Sequence, residues 1–334
     1  MSKNFRRASA ALLAALTAAS LVACSSEQAP QGGGDASADA GSGSDTITLG
    51  FSQVGAESGW RAANTKSIKD TLTKDNGFDL KFSDAQQKQE NQIQAIRSYI
   101  QQGVDVIAFS PVVETGWDAV LEEAKSAGIP VILTDRAVDS EDDSLYESFI
   151  GSDFVEEGKR AGEWAKEQYD GQGFKAVELQ GTTGAAPMID RQKGFAEAIK
   201  GSDIEMIDSQ TGNFTRTEGK QVMEGFLQKY DDIDLVFAHN DDMGLGAIEA
   251  IEAAGKVPGK DIKIITVDGV KDGMQALADG KINYIVECNP LLGPDLAEIA
   301  KKVVAGEAVD KRIVTQDEAF DQEAAKAALP DRQY

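Results

Sequence analysis

Along residues 47–287 short apolar runs alternate with stretches of helical periodicity, and this alternation narrows the fold further than any other property of the chain. The apolar runs fall at 47–52, 80–84, 104–110, 131–135, 148–151, 175–180, 205–209, 235–238, 262–267 and 282–287, each bounded by turn residues. Helix-period segments lie between most of them. Ile93, Ile96 and Ile100 recur at helical spacing, as do Phe226 and Tyr230. Gly103, Gly128 and Gly255 stand where those helices should stop. Strands separated by helices pair in parallel, because a crossover must carry the chain back before a neighbouring strand can start in the same direction. The expected class is α/β, with helices covering parallel sheets. The pattern runs through about 46–150 and again through about 151–287, then a helical segment at 291–306 and a tail follow. Two doubly wound parallel-sheet domains are expected, and 334 residues suffice for both.

The N-terminus reads differently. Lys3, Arg6 and Arg7 precede a small and apolar stretch at 8–21, which is short for a membrane span. Leu21-Val22-Ala23-Cys24 resembles a bacterial lipobox, so residues 1–23 are expected to be a signal peptide and Cys24 a lipidated new N-terminus. Residues 24–45 are rich in Ser, Gly, Ala and Asp, which cannot bury a core. They form an expected tether with a reach on the order of 25 Å. A body held just outside a membrane follows. Of the two Cys, this leaves Cys288 unpaired, and an apolar run around it makes packing its expected role. The formal charge of −23 argues against nucleic acid as a partner. A single His, His239, excludes multi-His metal centres, and no cofactor or metal is expected.

In doubly wound sheets ligands sit beyond the C-terminal ends of the strands. The first run ends near Glu57, Ser58, Gly59, Trp60 and Arg61. Trp60 falls at a helix start, where a core residue would gain little burial. Its ring can stack on the C–H face of a sugar while Glu57 and Arg61 reach hydroxyls; a ring wedged between helix and loop is the alternative. Asp135-Arg136 closes the fourth run. There a carboxylate accepts and a guanidinium fork donates, which makes a hydroxyl clamp or a structural salt bridge. Arg191 lies on the helix after Gln180-Gly181-Thr182-Thr183-Gly184, and Asn240, Asp268 and Glu287 end later runs. Each of Asn240, Asp241, Asp242 and Asp268 could instead cap a helix, and for Asp242 the cap is the better reading. Convergence carries the argument, since every buried hydroxyl of a polyol needs a partner.

Longer runs carry a family likeness. Gly50-Phe51-Ser52-Gln53-Val54-Gly55 with Glu57-Ser58-Gly59-Trp60-Arg61, Gln86-Gln87-Lys88-Gln89-Glu90-Asn91-Gln92-Ile93, and Ser110-Pro111-Val112-Val113 with Thr115-Gly116-Trp117 resemble the galactofuranose-binding proteins of bacterial ABC importers. So do Ile189-Asp190-Arg191, Phe214-Thr215-Arg216, Ala238-His239-Asn240-Asp241-Asp242-Met243 and Asp268-Gly269. The likeness covers roughly 46–330 and extends more loosely to the ribose-binding type of periplasmic binding proteins. It implies the type I periplasmic binding fold: a lobe of 46–150 plus 288–314, a lobe of 151–287 plus 315–334, three hinge crossings, and a sugar between the lobes. Closure would present a surface to a permease. The resemblance assigns the aromatic role to Trp60, the Asp–Arg pair to Asp135 and Arg136, and the second-lobe contacts to Arg191, Asn240 and Asp268. Glu57, Ser58, Gly59 and Arg61 join from the first loop. Glu287 falls at a hinge position that carries an amide in ribose binders. A monomer, extracytoplasmic and delivering its monosaccharide to a membrane permease, is the implied form.

Two other classes compete. Glycoside hydrolysis needs two acids at a set separation, and neighbours such as Asp241 and Asp242 at a helix start point apart. A dehydrogenase needs G-x-G-x-x-G near the first strand, where it is absent; Gly244-Leu245-Gly246 lies in the wrong half. A sensory receptor would use the same pocket and differ only in its partner.

Overall fold

The computed structural model describes residues 46–168 and 173–334. The signal segment 1–23, Cys24 and the tether 24–45 lie outside the described residues. β1 (Ile47–Gln53), α1 (Gly59–Thr71), β2 (Phe78–Asp84), α2 (Gln89–Gln102), β3 (Val106–Phe109), α3 (Asp118–Ser126), β4 (Val131–Thr134) and β5 (Ser148–Gly151) come first. α4 (Phe154–Glu167), β6 (Phe174–Gln180), α5 (Ala186–Ile199), β7 (Ile204–Thr211), α6 (Arg216–Lys229), β8 (Leu235–Ala238), α7 (Asp241–Ala253), β9 (Lys263–Asp268), α8 (Lys271–Ala278) and β10 (Tyr284–Glu287) follow. α9 (Gly293–Val304), β11 (Arg312–Val314), β12 (Ala319–Phe320) and α10 (Gln322–Ala328) complete the chain.

The strands form two sheets, ordered β11-β5-β4-β3-β1-β2 and β12-β10-β9-β8-β6-β7. The pairings are parallel except for β12 on β10. These are two doubly wound α/β domains with matching strand order. Each reverses direction once, between β1 and β3 and between β6 and β8, and a crevice opens at such a reversal. Central strands are covered by helices on both faces, so every residue of Val106–Phe109, Val131–Thr134 and Leu235–Ala238 is buried.

All the expected strand runs are strands. β11 and β12, three and two residues long, are additional. The chain passes between the sheets after β5, after β10 and after β11. These crossings are bonded together: Ser152 Oγ lies 3.0 Å from Thr315 Oγ1, Asn289 N–H donates to Asp317 Oδ1 at 3.1 Å, and Arg312 Nη2 donates to the Ser152 carbonyl at 2.7 Å.

One helix contact bears directly on the site. α4 and α5 cross with backbone against backbone. A Cβ on Gly158 would lie 2.1 Å from the Arg191 carbonyl oxygen, and one on Gly194 2.0 Å from that of Val155. Only glycine permits this approach. It brings Glu157 of α4 beside Arg191 of α5.

Candidate ligand-binding site

A polar cavity lies between the domains. The first domain contributes Glu57, Ser58, Trp60 and Arg61 from the β1–α1 loop and first turn, and Asp135 and Arg136 from beyond β4. The second contributes Pro187 and Arg191 of α5, Phe214 after β7, Asn240 after β8 and Asp268 at the end of β9, and Cys288 joins from the crossing after β10. These residues therefore meet at the C-terminal ends of the strands of both sheets.

On the first-domain wall, Arg61 holds the network together. It donates through Nη2 to Asp135 Oδ2 at 2.7 Å, through Nε to Glu57 Oε1 at 3.1 Å and through Nη1 to Gln53 Oε1 at 3.2 Å. Ser110 Oγ donates to the same Asp135 oxygen at 2.9 Å. The tight partner of Asp135 is thus Arg61, and Arg136 Nε stands 3.7 Å away. Both Asp135 and Arg136 nevertheless line the cavity. Arg136 instead donates to the Val112 carbonyl at 3.2 Å and lies over the Phe214 ring of the other domain, 5.2 Å from its centroid. Burial, then the Arg61 charge, pull the Arg136 pKa down to about 10, so it stays cationic at neutral pH. Burial would lower Arg61 too, but Asp135 and Glu57 outweigh it and raise its pKa.

On the second-domain wall, Arg191 donates through Nε to Glu157 Oε2 at 2.7 Å and through Nη1 to the His239 carbonyl at 2.5 Å, with Nη2 3.9 Å from Asp268 Oδ1. Burial pushes the Glu157 carboxyl up to about 7 against the pull of Arg191. It lifts Asp268 well above the usual carboxylate range, again against Arg191. His239 is fully buried, with Nε2 3.0 Å from Glu178 Oε1, and burial lowers its pKa. Asn240 caps α7, accepting from Met243 N–H at 3.0 Å, and donates to the Phe214 carbonyl at 3.1 Å.

Two observations point to a ligand rather than a sealed core. Glu57 Oε2 and Arg136 Nε are buried on the lining without a hydrogen-bond partner among the described residues, a state costing about 1–3 kcal/mol per group unless something fills it. Asp135 and Asp268 adopt positive φ values of +62° and +124°; the first is left-handed backbone uncommon outside glycine, and the second is strained for any side chain. They occupy matching places, after β4 and at the end of β9. Cationic and acidic groups interleave around the cavity, so no single sign of charge is favoured. A neutral molecule with many hydroxyls fits that balance.

Trp60 lines the cavity but is only 5% exposed, contrary to the expectation of little burial. The second domain covers it: the ring packs in a cluster with Val270 and Val286, and Nε1 donates to the Cys288 carbonyl at 2.6 Å. Gly59 and Glu287 are not on the lining. Gly59 N–H is taken by Asp242 Oδ2 at 2.7 Å. Glu287 Oε1 accepts from Arg332 Nη1 and Tyr334 Oη, each at 2.7 Å, and Oε2 from Glu318 N–H at 2.9 Å, which leaves it committed to the tail. Asp242 is not a helix cap, since Asn240 holds that place.

Phe214 was not singled out as a site residue. It has φ +62° and its ring fills the space above Gly181, where a Cβ would lie 1.9 Å from the ring. Gly181 together with Asn213-Phe214 was the available signal. Pro187 and Cys288 also lie on the lining. The Cys288 sulfur is 3.4 Å from Ser152 Oγ, and burial raises its pKa well above the usual thiol range.

Comparison with known proteins agrees with this fold. The family model for a periplasmic binding protein domain matches residues 49–308. The chain is 49% identical over 288 residues, 85% of this chain and 90% of the relative, to the galactofuranose-binding protein YtfQ of Escherichia coli. A Mycobacterium smegmatis structure in complex with β-D-fucofuranose superposes with a TM-score of 0.85 at 67% identity, covering 86% of this chain and 96% of the other. The binding protein of the arabinose ABC transporter of Shewanella sp. ANA-3, bound to α- and β-L-arabinofuranose, superposes with a TM-score of 0.82 at 48% identity, covering 86% and 96%.

Proposed function

We propose that this chain, which belongs to the periplasmic binding protein domain family, captures a single sugar in its furanose form, galactofuranose or a close relative, for an ABC importer. It is a sugar-binding protein and not an enzyme, and it works outside the cytoplasm. The observation that carries the reading is the cavity itself. It sits between two domains, with hydrogen-bonding side chains from both and two unpartnered polar atoms on its lining. The sugars in the two solved structures described above are furanoses, which supports that ring form here.

Each wall has a role. Arg61, Asp135, Arg136 and Glu57 receive hydroxyls from one side, Arg191, Asn240 and Asp268 from the other, and the Trp60 and Phe214 rings cover apolar faces. Two lobes, 46–150 plus 288–314 and 151–287 plus 315–334, open and close about the three crossings, because a sugar held by both walls has no exit while they are together. Anchorage through Cys24 keeps the protein, as a monomer, beside its permease; a Cys24→Ser variant recovered in the medium would support this, and retention at the membrane would oppose it.

The test is calorimetry and thermal unfolding with D-galactose, D-fucose, L-arabinose, D-ribose and D-fructose. At 100 times Kd a ligand stabilises by about 2.7 kcal/mol. Galactose or arabinose should do so, with carbon-13 spectra of the bound sugar showing a furanose anomeric carbon. No stabilisation by any of the five, or a bound pyranose, would overturn the proposal.

A further inference from the structure

Asp242 lies outside the cavity, yet its side chain spans the two domains. Its Oδ2 accepts the Gly59 N–H at 2.7 Å, across 183 residues of sequence. Gly59 is the first residue of α1, on the first sheet; Asp242 is in the first turn of α7, on the second. The start of α1 lacks an anionic partner of its own. Its first turn carries no acidic residue, and the Ser58 cap serves the Arg61 N–H. The free N–H groups and positive end of a helix attract a carboxylate, and here that carboxylate comes from the opposite domain. Asp242 is free for this because Asn240 caps α7. Arg216 of α6 steadies it, with Nε 3.4 Å from Oδ1 and Nη2 3.3 Å from Asp272 Oδ2. On the other rim, Glu114 N–H donates to the Gly184 carbonyl at 2.9 Å. Such contacts exist only while the domains are together.

We propose that Asp242 is a closure latch, which sets how long the closed form retains a sugar without touching it. The proposal rests on the reading of closure around a sugar given above. Apparent affinity scales with the fraction of molecules in the competent form, so weakening the latch raises Kd in proportion to its effect on closure. The loss should fall on the off-rate, since encounter occurs with the open form.

The test compares wild type, Asp242→Ala and Gly59→Pro with D-galactose and L-arabinose as probes. Gly59→Pro removes the donor and puts a ring carbon where the hydrogen bond runs, so Asp242 can no longer reach this position; the helix start itself tolerates it, since proline is favoured at the first helical position and Ser58 before it is extended, with φ −146° and ψ 165°. Each variant should raise Kd and off-rate about tenfold or more, leave the on-rate within about threefold, and unfold without ligand close to wild type. The double variant should lose no more than the weaker-binding single, since both remove one contact. A wild-type off-rate in Asp242→Ala, or additive losses in the double, would overturn the latch. If wild type binds neither sugar, the sugar reading fails, and the latch is judged by scattering without ligand: a compact population lost in Asp242→Ala supports it, and identical profiles overturn it.

Discussion

Arg191→Met tests the second wall of the cavity most sharply. The substitution keeps an unbranched, buried side chain and deletes the fork that reaches Glu157, the His239 carbonyl and the neighbourhood of Asp268. A hydrogen bond from a charged donor contributes about 1.5–3 kcal/mol, so the Kd for D-galactose or L-arabinose should rise about 10- to 150-fold at pH 7. Stability should also fall, because two buried carboxyls lose their cation; breaking such a pair costs about 3–5 kcal/mol. Burial already holds Glu157 at about 7 and Asp268 well above the usual range. Without Arg191 both move higher and escape the penalty by taking protons. The stability loss should therefore be smaller at pH 5.5 than at pH 8.5. Calorimetry gives the first quantity, and urea unfolding at the two pH values the second. Binding within threefold of wild type by a folded Arg191→Met protein, or a stability loss equal at both pH values, would refute the reasoning.

Stability of the wild-type protein should itself decline as pH rises. Glu157 and Asp241, both buried and both raised to about 7, bind protons in the folded state that they release when unfolded. Their contribution is complete below the ordinary carboxylate pKa and is lost as pH climbs through 7, by about 3 kcal/mol for Glu157 alone; urea midpoints from pH 5 to 8.5 check the sign. Gly181→Ala should displace the Phe214 ring, since the new methyl would lie 1.9 Å from it, and weaken sugar binding with little change in the far-ultraviolet spectrum. Unchanged calorimetric affinity in that variant would remove Phe214 from the site.

The parts of this molecule legible in sequence are those with a local cause. Buried parallel strands must be apolar along their whole length, so Val106–Phe109 and Val131–Thr134 announce themselves. Asp135 and Asp268 stand out because a charge at the end of such a run is unusual. β11 and β12 leave no comparable mark: Arg312–Val314 and Ala319–Phe320 are edge strands too short to show a period. Glu287 ends an apolar run much as Asp268 does, and nothing nearby shows that Arg332 and Tyr334, 45 and 47 residues away, occupy its carboxylate. Asp242 misled for a related reason. A helix-start carboxylate usually serves its own helix, and this one serves a helix in the other domain. Trp60 lies on the lining, and its burial depends on a second domain that no window around residue 60 contains.

The three passages of the chain between the sheets also decide how the molecule comes apart. The first sheet takes β11 from beyond β10, and any fragment that spans the whole second sheet, β6 to β12, must carry that strand of the first with it. Severing the backbone near residue 152 would thus leave the N-terminal piece without its edge strand β11, which the other piece would carry with no sheet to join. Denaturation should proceed as a single cooperative event instead of shedding one half and keeping the other.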